Sequence, residues 1–126
     1  MEANKIIITG AATRMGAAIA KKLSGPGVEM VIHYNSSKSE AEKLQKELSK
    51  NKTKVYLVKG DLAKEQDLKK IIKFSKLKLK YFDCLINNAS LFENDSLKNF
   101  SSKSWNQHID VNLKAPAYLT KEFSKN

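Results

Sequence analysis

Short apolar runs alternate with stretches of helical spacing along this chain. Lys5 to Thr9, Val28 to Tyr34, Val55 to Val58 and Cys84 to Ile86 are brief and nearly continuous, which predicts strands. Met15, Ile19 and Leu23 fall at i, i+4 and i+8 and predict a helix with one apolar stripe, stopped by Ser24-Gly25-Pro26-Gly27. Ala41, Leu44 and Leu48 mark a second helix, with Glu42 and Lys46 paired one turn apart. Leu68, Ile71, Ile72 and Ser75 line a third. It runs into Lys76-Leu77-Lys78-Leu79-Lys80, whose alternation suits helix or strand. From about Ser102 the chain is again helical, with Trp105, Ile109 and Leu113 on one face.

Strand–helix alternation of this kind predicts an α/β domain over residues 1–126. A parallel sheet with right-handed crossovers carries helices on both faces. Ligands of such sheets bind beyond the C-terminal strand ends. The loops at those ends begin at Gly10, Tyr34, Gly60 and Asn87, and every motif described below lies in or beside one of them.

Composition changes this picture little. The net charge of +10 comes mainly from lysines on helix surfaces, which reads as a solvated face or as attraction for anions such as phosphorylated cofactors. Nucleic acid is not an expected partner, because no reader motif is present and the lysines are spread over all the helices. Cys84 is the only cysteine and lies in a strand pattern, so it reads as a core thiol. Met1 to Lys5 leads straight into the first strand without a signal-peptide core, and no stretch is long enough to span a bilayer. The expectation is a cytoplasmic protein with no membrane partner.

Thr9-Gly10-Ala11-Ala12-Thr13-Arg14-Met15-Gly16 joins the first strand to the first helix. Gly10 permits a turn where a Cβ would clash, and Gly16 permits close approach of helix and strand or cofactor. The free N–H groups and positive dipole end of that helix suit a pyrophosphate. Arg14 opposes the dipole unless an anion sits there. After the second strand, an NAD site would carry an acid for the ribose 2′-hydroxyl. This chain has His33-Tyr34-Asn35-Ser36-Ser37-Lys38 and no acid before Glu40, which suits the 2′-phosphate of NADPH. Ser36 or Ser37 is equally placed to cap the second helix. Pro116 lacks an N–H, so the carbonyl of Asn112 loses its helical partner and the last helix must kink or bulge there.

With Asp61-Leu62, Asn87-Asn88-Ala89 and Val111-Asn112 added, the order and spacing resemble the N-terminal half of a short-chain dehydrogenase/reductase. Arg14, His33-Tyr34-Asn35-Ser36 and Asn87-Asn88-Ala89-Ser90-Leu91-Phe92 resemble the pteridine reductases and their bacterial relatives. The resemblance implies a Rossmann-type sheet, strand order 3-2-1-4, cut after its fourth strand and following helix. It implies an NADPH-dependent oxidoreductase of a small carbonyl or C=N substrate, a pterin among them, and a homo-oligomeric parent. The implied cofactor contacts are Thr9, Gly10, Arg14, Met15, Gly16, Tyr34, Asn35, Ser36, Ser37, Asp61, Leu62, Asn88, Ala89 and Ser90. Phe92 would meet the substrate, or simply pack on its own domain. Asn112 would hold a proton-relay water.

The family's catalytic Tyr-x-x-x-Lys belongs after a fifth strand. Tyr34 and Lys38 match its spacing in the wrong loop, and Tyr118 is followed by Lys121. The chain is therefore expected to be a fragment that lacks the proton donor and is inactive alone, with a non-catalytic NADP(H)-binding module as the alternative.

Overall fold

Four parallel strands lie in the order β3-β2-β1-β4 in the computed structural model, which describes residues 3–125. Met1 and Glu2 of the expected N-terminal lead-in, and Asn126, lie outside the described residues. The elements are β1 (Lys5–Ile8), α1 (Arg14–Leu23), β2 (Glu29–Tyr34), α2 (Lys38–Ser49), β3 (Lys54–Lys59), α3 (Glu65–Leu79) and β4 (Cys84–Ile86). The last helix is α4 (Ser102–Ile109) and α5 (Ala115–Ser124), joined by a π-helical turn over Asp110–Lys114. Pro116 explains that turn. With no N–H to offer one carbonyl, the chain takes an extra residue, and the N–H of Ala115 donates to Asp110 five residues back.

The apolar runs are continuous because both faces of the sheet are covered. Ile7 and Val31 face α3 and α5, meeting Leu68, Ile71, Leu79, Ala115 and Leu119. Ile6, Ile8, Met30 and Ile32 face the other way, onto Ala20, Leu44 and Leu48 of α1 and α2. Register pairs Ile6 with Met30 and Cys84, so each face is built from alternate residues of adjoining strands. Each fully buried aliphatic side chain contributes about 1.5–3 kcal/mol.

Two local readings need correction and one left open is settled. Of the stripe Met15–Ile19–Leu23, only Ile19 packs against the core. Gly16 and Ala20 are buried, while Met15 and Leu23 are exposed. Small residues win because they let the helix axis come closest to the sheet. The alternation at 76–80 resolves as helix through Leu79, with Leu79 buried and Leu77 exposed. Cys84 is half-buried rather than fully in the core, because β4 pairs only with β1 among the described residues. Burial and the neighbouring Asp83 push its thiol pKa up, so it is a poor thiolate. No helix among the described residues is long and apolar enough to cross a membrane.

Candidate functional site

The strand ends open into a cleft of about 790 Å³, lined from all four C-terminal loops and from the last helix. That volume suits a bound small molecule. Its floor is the β1–α1 turn. Gly10 has φ +60°, and a Cβ there would sit 2.8 Å from the Cα of Ala89. A Cβ on Gly16 would sit 2.6 Å from the Gly10 carbonyl oxygen and 2.7 Å from the Cα of Ala11. The turn is thus as close to its neighbours as a backbone can come.

Arg14 starts α1 with φ +52°, a left-handed conformation that a side chain rarely adopts. Thr13 makes no side-chain cap, and the first turn carries no acid. The N–H groups of Arg14, Met15 and Gly16 have no hydrogen-bond partner among the described residues. Uncapped amides beside an arginine make an anion site.

Two side chains stitch β1 to the loop after β4. Thr9 is buried, and its Oγ1 accepts from the N–H groups of Asn88 (3.1 Å) and Ala89 (3.0 Å). Asn88 Nδ2 donates to the carbonyls of Thr9 (3.2 Å) and Gly10 (3.0 Å). The N–H of Asn88 also reaches the Ile86 carbonyl, so losing the Thr9 hydroxyl would orphan chiefly Ala89. Thr9→Val is expected to cost about 2 kcal/mol of stability in urea unfolding, and Thr9→Ser about half that. A larger loss in Thr9→Ser than in Thr9→Val would show that the methyl, not the acceptor, matters.

His33 is buried at the end of β2. Its Nδ1 accepts from the N–H of Gly10 at 3.0 Å, and its Nε2 lies 2.7 Å from the Gly60 carbonyl. Burial is the largest influence on it and lowers its pKa, against the raising effect of the Gly60 bond. Beyond β3, Asp61 Oδ1 accepts from Ala63 N–H and the Asp61 N–H donates to Asp67, which fixes that loop.

The loop after β4 is laced to the last helix at three levels. Asn112 Oδ1 accepts from Leu91 N–H at 2.7 Å and its Nδ2 donates to the Leu91 carbonyl at 2.8 Å. His108 Nε2 accepts from Glu93 N–H at 3.0 Å, and Ser104 Oγ donates to Asp95 at 2.8 Å. Every second loop residue thus meets every fourth helix residue. The register holds because two extended residues and one helical turn advance the chain by similar lengths.

A family model described as "short chain dehydrogenase" matches residues 4–126. The chain belongs to the short-chain dehydrogenase family. It is 28% identical over 113 residues to the short-chain dehydrogenase/reductase FrzI of Cladobotryum sp, covering 90% of this chain and 44% of that protein. A short chain dehydrogenase of Burkholderia cenocepacia J2315, solved with NADP, superposes with TM-score 0.92 at 22% identity. The match covers 98% of this chain and 50% of that one. FolM alternative dihydrofolate reductase 1 from Brucella canis, solved with NADP, gives TM-score 0.86 at 30% identity, covering 95% and 48%. The chain therefore spans about half the length of the relatives it matches.

Of the residues expected from the sequence, Gly10, Arg14, Met15, Asn35, Ser37, Asp61, Leu62, Asn88, Ala89 and Ser90 line the cleft of this short-chain dehydrogenase domain. Thr9, Gly16, Tyr34, Ser36, Phe92 and Asn112 do not. Thr9 and Gly16 are buried behind it, and Asn112 is exposed and holds the backbone of Leu91. Tyr34 packs with Ala12 and Ala41. Phe92 is 85% exposed. Ser37 takes the N-cap position of α2 but makes no cap hydrogen bond, so the expected capping role is not realised. The cleft also contains Thr13, His33, Ala63, Leu91, Glu93, Gln107 and Val111, which were not among the expected contacts. For His33 a signal existed, as a lone polar residue at the binding end of an apolar strand.

Proposed function

We propose that this chain is the cofactor-binding portion of an NADPH-dependent reductase acting on a small carbonyl or C=N substrate, a pterin being one candidate. The supporting observation is the left-handed Arg14 at the uncapped start of α1, across from a β2 end that holds Asn35 and Ser37 and no acid. A non-glycine residue is retained at that backbone angle only when something offsets its strain. The 2′-phosphate of NADPH does so by charge, and Ser37 and Asn35 add hydrogen-bonding groups. The residues fit the group in another respect. The turn at Gly10 and Gly16 presents main chain with no side chain in the way, as a pyrophosphate needs.

Bound there, NADPH supplies a hydride. Asn88 and Thr9 hold the two loops that flank the cofactor, and Asn112 holds the loop carrying Ser90 through Leu91. The neighbouring FolM structure, solved with NADP, supports the pterin-type reading. Residues 1–126 contain no Tyr-x-x-x-Lys placed on a helix after a fifth strand, so the proton donor is not supplied by them, and they are expected to be inactive alone. The reading is tested by titrating the protein with NADPH and NADH under cofactor fluorescence. NADPH is expected to bind roughly tenfold or more tightly than NADH, since one charge-assisted contact contributes about 1.5–3 kcal/mol. Equal affinities would overturn the cofactor assignment.

A further inference from the structure

We propose that His33 is a positioning residue that ties the Gly10 turn to the Gly60 loop, and that it does so only as the neutral tautomer protonated on Nε2. The inference rests on the NADPH reading above and extends it to pH control of that site.

β1 and β3 are not neighbours. They lie on opposite sides of β2, so no strand pairing joins Gly10 to Gly60. The main chain of β2 reaches each side separately, through Ala11 N–H to the His33 carbonyl and Gly60 N–H to the Tyr34 carbonyl, both 3.0 Å. The His33 ring is a cross-tie that spans both at once. Its two partners determine its chemistry. A backbone N–H only donates and a carbonyl only accepts, so Nδ1 must carry the lone pair and Nε2 the proton. No other tautomer satisfies both. A second proton on Nδ1 would set donor against donor at Gly10, which holds φ +60° in the turn that cradles the phosphates.

The surroundings favour the neutral ring. His33 is 2% exposed. Lys70 of α3 disfavours a cation, while Asp67 of α3 and Asp61 of the β3 loop favour one; burial outweighs both acids and holds the pKa below its ordinary 6.5. Arg14 adds another positive charge to the same cleft. A lowered folded-state pKa means that the tie's stabilisation is fully present above about pH 6.5. It is lost as pH falls from there through the folded value. Cofactor affinity is a property of the folded state, so it should fall only as pH drops through the lowered folded-state value, below 6.5.

Nitrogen-resolved NMR of the wild-type protein at about pH 7 reads the tautomer directly, and a proton on Nε2 with a bare Nδ1 is expected. A proton on Nδ1 would overturn the proposal without any variant being made. NADPH affinity is then followed from about pH 7.5 down through the pH at which the same NMR shows the ring taking a second proton, in wild type and in His33→Asn, which keeps an oxygen acceptor for Gly10 but cannot titrate. The cofactor's own 2′-phosphate titrates near pH 6 and weakens binding in both proteins. Wild type should lose a further fivefold to tenfold, the value of one hydrogen bond and the repulsion replacing it. Parallel profiles would overturn the proposal, as would tighter binding at low pH, which would make His33 a direct phosphate ligand. Failure to bind NADPH at pH 7.5 with the Nε2 proton in place would overturn the cofactor reading and leave the cross-tie supported.

Discussion

Gly16→Ala should destabilise the domain by about 3 kcal/mol or more and abolish cofactor binding with it. The added Cβ would stand 2.5 Å from Asn88 Nδ2, 2.6 Å from the Gly10 oxygen and 2.7 Å from the Ala11 Cα. Two of those atoms are main chain and cannot swing aside. The third belongs to the amide that holds the Thr9 and Gly10 carbonyls, so moving it breaks the link between β1 and the β4 loop. Gly25→Ala is the matched control, because nothing lies within 4 Å of a Cβ placed there. It should fall within about 0.5 kcal/mol of wild type. Urea midpoints for the two variants check both statements. A Gly16→Ala protein as stable as Gly25→Ala would mean that α1 can withdraw from the sheet at little cost.

The parallel layering was legible because a strand buried on both faces must be a continuous apolar run, and only α/β layering accommodates four of these separated by helices; the strand order followed from the family resemblance. The π turn was legible from Pro116 alone, since a missing N–H has a fixed address along the helix. The packed face of α1 was not legible from its largest side chains. Hydrophobic spacing picks out Met15, Ile19 and Leu23, but the close approach at Gly16 rotates the helix so that Gly16 and Ala20 face the sheet. The lacing of Leu91, Glu93 and Asp95 to Asn112, His108 and Ser104 is a contact between segments distant in sequence, with no local signature. His33 lay between these extremes. Its place in the strand was readable, but the two carbonyl and amide partners that make it a cross-tie come from loops that meet only in the fold.

Arg14 separates function from stability. Arg14→Ala and Arg14→Gly both remove the guanidinium, and each is expected to weaken NADPH binding by roughly tenfold to a hundredfold while changing NADH little. Their effects on folding should differ. The backbone sits at φ +52°, where a Cβ costs about 1–2 kcal/mol and glycine costs nothing. Alanine keeps that strain. Glycine relieves it and gives back about 0.5–1 kcal/mol through the freedom it adds to the unfolded chain. Arg14→Gly should therefore be as stable as wild type or slightly more so, and more stable than Arg14→Ala by about 0.5–1 kcal/mol. Paired urea unfolding and cofactor titration measure the two quantities on the same samples. Weaker binding of NADH and NADPH to equal degrees would show that Arg14 shapes the turn without reading the phosphate. Arg14→Gly falling below Arg14→Ala in stability would show that the left-handed start of α1 carries no strain, and would remove the physical ground for assigning an anion partner to this residue.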